Sequence, residues 1–292
     1  MIAYLLNLAQ LAAIFGLLSV SLNILIGYGG IFSVAHAVFF GLGAYAGAHV
    51  ALDLAPDILL AALAAALTAG VLSALLALPA LRVRGEYFVI ASLGLQMLAT
   101  TVFTEASDIT GGLGGLVGIP PPTMFGVSLA DPLAFLLVCL GFLALALAVV
   151  RLLMRASFGR ALMALRDSES AAEALGKNVP LLKTLAVLLG GAFAGVAGAL
   201  FAFQEAFVNV ESFTLDQSVL IMAMVIIGGA GTLAGPLLGT VLLLALPAAL
   251  TFIPGLPPTD IGAVQQLIYG LAMTVLMIFR PAGLAGRLAG RR

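Results

Sequence analysis

The segment 58–81, ILLAALAAALTAGVLSALLALPAL, decides the fold class, because it runs from end to end without a charged side chain. A helix needs about 20 apolar residues to cross a bilayer core about 30 Å thick, so this segment is long enough to cross once. Its apolar residues are continuous, whereas a transmembrane β-strand alternates apolar and polar residues. Backbone groups in lipid must be hydrogen-bonded within their own segment, so we predict a transmembrane helix.

The composition extends this interpretation to the whole chain. Of its 292 residues, 63% are hydrophobic and 9% are charged, whereas a soluble domain is about 45–50% apolar and about 25% charged. Too little polar surface is present to cover a water-exposed globule, which excludes a soluble enzyme, a nucleic-acid-binding protein and a disordered protein. We therefore expect a polytopic membrane protein. The single cysteine, Cys139, is predicted to be a buried apolar residue, and no spacing indicates a metal site.

The 12 basic residues fall into three clusters along the chain. Lys and Arg accumulate in short cytoplasmic loops, so we place all three clusters in the cytoplasm. The middle cluster, in 151–183, marks the only sizeable polar region. The clusters are Arg82 and Arg84; Arg151, Arg155, Arg160, Arg166, Lys177 and Lys183; and Arg280, Arg287, Arg291 and Arg292.

Four other loops contain acidic residues and no basic ones. The absence of Lys and Arg is the topological signal, because acidic residues themselves carry little weight. We place these loops outside, which predicts an external N-terminus and a cytoplasmic C-terminus. The loops carry Asp53 and Asp57; Glu105, Asp108 and Asp131; Glu205, Glu211 and Asp216; and Asp260.

The segments between these loops predict about nine membrane-spanning helices. Segments 2–52 and 217–259 each have the length of two crossings and are expected to break at Gly27–Gly30 and at Gly228–Thr232. Either broken segment could instead hold half-helices, which puts the count at about 8–10. The fold class is therefore all-α, a polytopic transmembrane helical bundle, with residues 1–292 as a single domain. The segments with the length of one crossing are 58–81, 87–104, 132–150, 184–204 and 262–279.

Glycine spacing adds two predictions. The sequence reads Gly-Gly-x-x-Ser at 29–33 and Gly-Gly-x-x-Thr at 228–232. This similarity could mark an internal repeat, since transporters are often built from duplicated halves. Gly191 and Gly195 form a small-xxx-small step, which favours close packing of that helix against a neighbour.

Polar residues within the predicted spans are the candidates for a solute pathway: Asn23, Ser33, His36 and Gln96. They could line that pathway, or they could form interhelical hydrogen bonds worth about 0.6 kcal/mol each. Proton-coupled carriers usually place carboxylates or histidines deep in the membrane, and here only His36 and His49 are candidates for such a position. This scarcity disfavours a proton-coupled mechanism and an intramembrane enzyme.

The polar region 151–183 is too short for a catalytic domain and is expected to form short helices. The stretch Arg160–Arg166 fits a helix, Ser170–Glu173 matches a capping box, and Gly176 suits a helix C-cap. An amphipathic helix in this loop could lie on the membrane surface or in a groove of a soluble partner, and the mixture of Arg and Glu favours the partner. Its apolar stripe consists of Leu162, Leu165, Ala172 and Leu175, surrounded by Arg166, Asp167, Glu169 and Glu173.

Five stretches, in order along most of the chain, resemble the permeases of branched-chain amino acid ABC transporters, and the LivM-type subunit more than its LivH-type partner. The first contains Asn23-Ile-Leu-Ile-Gly-Tyr-Gly-Gly and continues to Tyr45. The others are Arg84-Gly-Glu-Tyr-Phe88, the glycine-rich loop Thr110–Pro120, Gly159–Gly176, and Gly228-Gly-Ala-Gly-Thr-Leu-Ala-Gly-Pro-Leu-Leu-Gly239.

The resemblance implies a role and partners. It implies a permease in the bacterial cytoplasmic (inner) membrane that works with a LivH-type homologue, two cytoplasmic ATPases and an extracytoplasmic substrate-binding protein. It also implies that 151–183 is a cytoplasmic coupling loop containing the family's Glu-Ala-Ala-x-x-x-Gly pattern, in which Ser170 replaces the first Glu. The residues expected to couple to the ATPases are Arg160, Arg166, Glu169, Ala171, Ala172, Glu173 and Gly176.

The residues themselves agree with an energy source outside this chain. No Gly-x-x-x-x-Gly-Lys-Ser/Thr motif is present, so no cofactor is expected here and ATP is expected on the partner ATPases. The implied solute is a branched-chain amino acid, with an amide, urea or another amino acid as alternatives. The glycine-broken segments leave open an autonomous secondary carrier or channel. Membrane lipid is the remaining expected partner, and nucleic acid is not expected.

Overall fold

A computed structural model describes residues 2–81 and 86–250, and of the rest only 264, 266–268, 270–271, 274–275 and 283–285. The predictions for Arg82, Arg84, Asp260 and the four arginines of the tail lie outside these residues, as does most of the predicted span 262–279. The helices are α1 (Ile2–Asn23), α2 (His36–His49), α3 (Ile58–Leu81), α4 (Glu86–Glu105), α5 (Ser107–Thr110), α6 (Pro132–Arg155), α7 (Ser157–Asp167), α8 (Glu169–Ala174), α9 (Val179–Glu205), α10 (Leu215–Gly228) and α11 (Gly235–Leu250).

Short elements complete the described chain. Two π-helical turns, Ile24–Tyr28 and Val50–Leu54, extend α1 and α2. Two 3₁₀ turns lie at Gly112–Gly114 and Val210–Phe213. The four strands have two residues each and form two antiparallel pairs, β1 with β4 and β2 with β3. They are β1 (Leu116–Val117), β2 (Thr123–Met124), β3 (Val127–Ser128) and β4 (Phe207–Val208).

The helices confirm the all-α transmembrane architecture. Within the described residues, 6 helices are long and apolar enough to cross a membrane: α1, α2, α3, α4, α6 and α9, with the π turns included. Both predicted breaks are present, since the chain leaves helix after Tyr28 and again after Gly228. Helix α10 has only 14 residues, which agrees with the half-helix alternative for that segment.

Helix α9 lies at the centre, against α1, α2 and α3. Its glycines allow this packing, because a Cβ on Gly195 would fall within 3 Å of the Ala65 carbonyl oxygen. A Cβ on Gly191 would collide with the Ser73 hydroxyl, and one on Gly43 of α2 would collide with the backbone of Gly195. The small-xxx-small prediction is therefore confirmed.

The two ends of the bundle carry different loops. At one end, a β-bridge joins Asp57 to Thr123, and the His49 side chain lies 2.7 Å from the carbonyl oxygen of Ile109. Strand β1 pairs with β4 at the same end, so the three acidic, base-free loops of the described chain lie together. At the other end, α7 and the rest of 151–183 meet the glycine breaks. This separation is the one that the charge pattern predicts.

Candidate functional site

Helices α7 and α8 form the coupling segment, residues 157–174. Helix α7 ends at Asp167, and Ser168 has an extended backbone that lets its hydroxyl accept a hydrogen bond from the Ala171 N–H at 3.3 Å. Ser168 is therefore the N-cap of α8, and the predicted capping box at Ser170 is wrong by two residues. The reason is the end of α7, which leaves no room for a non-helical residue at 170.

The end of α8 matches the prediction. Gly176 has a φ of +74°, in the left-handed region that glycine adopts without strain. Its N–H donates to the Glu173 carbonyl at 2.9 Å, and the Lys177 N–H donates to the Ala172 carbonyl at 3.1 Å. These two bonds form a Schellman motif, which satisfies the last carbonyls of the helix.

The apolar stripe of the coupling segment packs within this chain. Leu162, Leu165 and Ala172 are buried, with 0%, 4% and 1% of their surface exposed. The expectation that they lie on the membrane surface or in a partner's groove is wrong, because the first π turn and α9 cover this side of α7. Leu175, by contrast, is 76% exposed.

The predicted coupling residues divide into two groups. Glu169 and Ala172 face this chain, and the Glu169 carboxylate pairs with the Lys183 ammonium of α9 at 2.9 Å. Arg166 also contacts this chain, while 46% of its side chain stays exposed. The ATPase contacts of these residues stay predictions, and Ala172, 1% exposed, offers almost no surface for one. The remaining residues lie on the exposed surface of the segment: Arg160, Ala171, Glu173 and Gly176.

The two glycine breaks meet at one place, which we call the glycine junction: Asn23, Gly27, Arg166, Gly231 and Thr232. The Asn23 side-chain amide donates to the Thr232 carbonyl at 2.8 Å, and its oxygen accepts from the Gly231 N–H at 2.8 Å. The Arg166 guanidinium donates to the Gly27 carbonyl at 2.6 Å. The junction thus joins both breaks to the coupling segment.

The second polar contact, the glutamine junction, consists of Ala37, Gln96, Phe213 and Ser218. The Gln96 amide donates to the Phe213 carbonyl at 2.7 Å, and its oxygen accepts from the Ser218 hydroxyl at 3.0 Å. The Ser218 oxygen accepts in turn from the Ala37 N–H at 2.9 Å. Neutral groups therefore hold α2, α4 and α10 together.

The other two pathway candidates are also buried. His36 has 0% of its surface exposed, and its Nε2 lies 2.7 Å from the Ser21 hydroxyl of α1. Ser33 accepts a hydrogen bond from the Ala35 N–H at 3.3 Å. All four candidates thus form hydrogen bonds inside the protein. Those of Asn23, His36 and Gln96 join different elements, as the packing alternative predicts, whereas the Ser33 bond is local. The part of all four in a pathway stays a prediction.

Gln96 also borders a cleft of about 480 Å³ on the outside of α4. The hydroxyls of Thr100, Thr101 and Thr104 each donate to a carbonyl one turn back in α4, so their oxygens keep lone pairs for acceptance. The Thr100 oxygen already accepts one bond, from the Gln96 amide at 3.4 Å. Thr104, Thr214 and Ser218 are not among the residues predicted from the sequence. The spacing of Gln96, Thr100 and Thr104 along one helix face is the signal that finds the cleft. Its polar lining is Gln96, Thr100, Thr101, Thr104, Glu105 and Thr214.

The described residues offer no metal or thiol chemistry. No group of three or more His, Cys, Asp or Glu side chains in this part of the chain could hold a metal ion. Cys139 is 1% exposed, which confirms its prediction as a buried apolar residue.

Comparisons with known proteins agree with this architecture. Residues 4–277 match the family described as branched-chain amino acid transport system / permease component. The chain is 32% identical to the high-affinity branched-chain amino acid transport system permease protein LivM of Salmonella typhimurium, over 95% of this chain and 69% of the relative. LivM of Escherichia coli shows the same identity and coverage.

A different transport system also contains a relative. The autoinducer 2 import system permease protein LsrC of Klebsiella pneumoniae is 34% identical over 58% of this chain and 48% of its own length. No solved structure matches the chain significantly. The family match covers nearly the whole helical bundle, including both glycine breaks and the coupling segment. The chain therefore belongs to the family of permease components of branched-chain amino acid transport systems.

Proposed function

We propose that this chain forms half of the membrane pathway of an ATP-driven importer for a branched-chain amino acid. The observation that carries the proposal is the family match over residues 4–277 together with a coupling segment whose outer surface is exposed. The substrate is inferred from the LivM relatives, which are named for branched-chain amino acid transport. The alternative is a permease for another small solute, which the LsrC relative supports because it belongs to a different import system.

In this proposal, two ATPase subunits bind the end of the bundle that carries the coupling segment. Arg160, Glu173 and Leu175 lie on its exposed surface and supply charge of both signs and an apolar contact. The basic residues at this end favour a cytoplasmic position for it, with the N-terminus outside and the C-terminus inside. ATP binds to the partner subunits, since this chain lacks the motif for it.

A LivH-type permease covers α4 in this proposal. Helix α4 crosses the membrane, but only 28% of its 18-residue apolar stretch is buried inside this chain. It also presents the polar cleft to its surroundings. Polar groups that face hydrocarbon are unfavourable, so a second protein surface there is favoured over lipid. In the cleft, the threonine oxygens accept hydrogen bonds from the ammonium group of the amino acid solute. Glu105 adds negative charge at the outer end of this row of threonines.

At the opposite end, an extracytoplasmic binding protein delivers the solute. The loops at this end contain an ordered glycine-rich turn, in which Gly111, Gly112 and Gly115 all have positive φ. Leu113 in this turn is 79% exposed, which gives a soluble partner an apolar contact. The binding protein, rather than this chain, then carries most of the solute specificity.

Reconstitution tests this proposal. The chain is co-expressed with a LivH-type permease, the two ATPases and the binding protein from the same genome, and uptake of radiolabelled leucine into proteoliposomes is measured. We expect uptake that requires ATP and every subunit. Uptake by this chain alone would contradict the proposal and support an autonomous carrier. ATP-dependent uptake of a different solute, with leucine excluded, would overturn only the substrate assignment.

A further inference from the structure

Arg166 differs from the other basic residues of the coupling segment in the direction of its side chain. The Arg160 guanidinium donates to the Arg155 carbonyl, five residues away in the same part of the chain. The Arg166 guanidinium instead reaches Gly27, which is 139 residues away in sequence, at 2.6 Å. Arg166 therefore connects the coupling segment to the transmembrane body.

The Gly27 carbonyl is available because the first helix ends there. The last carbonyls of a helix lack partners within the helix. The N–H groups of Gly29, Gly30 and Ile31 turn back to the carbonyls of residues 24–26, which leaves Gly27 to an outside donor. A positive charge at a helix C-terminus is also favoured by the helix dipole.

The second break lies against the same guanidinium. A Cβ on Gly231 would lie 3.0 Å from the Arg166 Nη1, and one on Gly27 would collide with the Gly231 backbone nitrogen. Helix α10 ends at Gly228, just before this point, so the C-terminal ends of two broken helices converge on one arginine. Asn23 joins these two ends independently through its amide.

The aliphatic part of the Arg166 side chain also packs closely against the first break. A Cβ on Gly30 would lie 2.8 Å from the Arg166 Cγ, and Gly30 has a φ of +66°. Leu162, one turn before Arg166, and Leu165, the residue before it, are buried against the same transmembrane body. The last turn of α7 is therefore fixed to the breaks by apolar packing and by a charge-assisted hydrogen bond.

We propose that Arg166 is a positioning residue that transmits movement of the coupling segment to both glycine breaks, which then move together. This inference rests on the proposed function, since the movement originates in the ATPases. It assigns to Arg166 a contact within the permease, whereas Arg160, Glu173 and Leu175 are the residues proposed to contact the ATPase. Loss of the guanidinium then separates ATP hydrolysis from transport while the ATPases stay bound.

The test uses the complete complex in proteoliposomes. Arg166→Ala is expected to lower leucine uptake per ATP hydrolysed by about tenfold or more, the effect of losing a hydrogen bond to a charged group, with ATPase co-purification unchanged. Arg166→Lys keeps the charge and a donor and is expected to restore part of the ratio. Arg151→Ala, an exposed basic residue on α6, is the matched control and should keep the wild-type ratio.

A second measurement reports movement directly. In a Cys139→Ala background, Ser33→Cys places a single thiol beside the first break, and its labelling rate is compared with and without ATP. We expect a rate change that disappears when Arg166→Ala is added. A change that persists with Arg166→Ala, or a wild-type ratio of uptake to hydrolysis, would overturn the proposal.

The outcome for the ATPases separates this inference from the proposed function. If Arg166→Ala loses the ATPases while the wild-type chain retains them, Arg166 belongs to the docking surface and the inference is wrong. If the wild-type chain itself binds no ATPase, the proposed function fails first.

Discussion

The glycine junction and the glutamine junction both hold helices together, but they do so with different chemical groups. Both join elements far apart in sequence, and α10 takes part in each, through Ser218 in its first half and through Gly231 just beyond its end. The glycine junction uses backbone groups, one amide and a charged guanidinium. The glutamine junction uses neutral groups alone.

This difference follows the position of each junction. The Arg166 side chain is 46% exposed, so its charge keeps contact with water, whereas Gln96 and Ser218 are each 1% exposed. A charge deep in the membrane is unfavourable by about 2.5–3.5 kcal/mol, which is avoided when neutral amides and hydroxyls hold the buried helices. Among the residues described, the charged connections of the coupling segment, Arg166 to Gly27 and Glu169 to Lys183, thus lie at the end of the bundle that carries the basic residues.

The largest expected effect comes from filling the glycine junction. In Gly27→Ala, the new methyl group would lie within 3 Å of the Asn23 side-chain oxygen and of the Gly231 nitrogen, so both breaks must separate. We expect the free energy of unfolding in mixed detergent micelles to fall by about 3 kcal/mol. Gly94→Ala on α4 is the control, because nothing lies within 4 Å of its added Cβ. Equal stability of the two variants would show that the breaks do not touch.

Removing the amide of the glycine junction is expected to have the next largest effect. Asn23→Ala leaves the Gly231 N–H and the Thr232 carbonyl without the Asn23 side chain. These two groups are partly buried, and leaving such groups unsatisfied destabilises by about 1–3 kcal/mol, so we expect about 2 kcal/mol by the same unfolding measurement. The exposed Asn7→Ala serves as the control. A stable Asn23→Ala protein with lower uptake would instead assign Asn23 to the solute pathway.

A smaller effect is expected at the glutamine junction. Gln96→Leu removes the hydrogen bonds to the Phe213 carbonyl and the Ser218 hydroxyl. Interhelical hydrogen bonds in membranes average about 0.6 kcal/mol each. Because two are lost, we expect the free energy of unfolding in mixed detergent micelles to fall by about 1 kcal/mol. Thr101→Val is the stability control, since its hydroxyl bonds only within α4. A loss larger than that of Asn23→Ala would reverse the ranking of the two junctions.

The smallest effect concerns the coupling segment next to the glycine junction. Ser168→Ala removes the N-cap of α8 and is expected to destabilise the segment by about 0.5 kcal/mol, measured as faster hydrogen exchange at Ala171 and Ala172. Ser170→Ala should leave the exchange rates unchanged. Faster exchange in Ser170→Ala, with unchanged exchange in Ser168→Ala, would instead support the capping box predicted from the sequence.

Particular residues show how far sequence reasoning reaches. The glycines at 27–30 and 228–231 locate both breaks, because few other residues tolerate a positive φ or such close backbone contact. Gly176 likewise marks the end of α8. The N-cap of that helix is placed wrongly at Ser170, since serine at 168 and at 170 differ only in where the preceding helix stops. Ser218 and Thr104 are missed because a hydroxyl in an apolar helix commonly bonds its own backbone.

The sequence alone therefore determines the membrane class, the helical fold, the positions of the breaks and the separation of basic and acidic loops. These properties depend on composition, on segment length and on the local conformational freedom of glycine. Only the tertiary structure decides that the two breaks meet, that Leu162 and Leu165 pack inward and that Arg166 reaches Gly27. Each of these contacts joins residues far apart in the chain, and the partner of a polar side chain is set by three-dimensional packing rather than by its sequence neighbours.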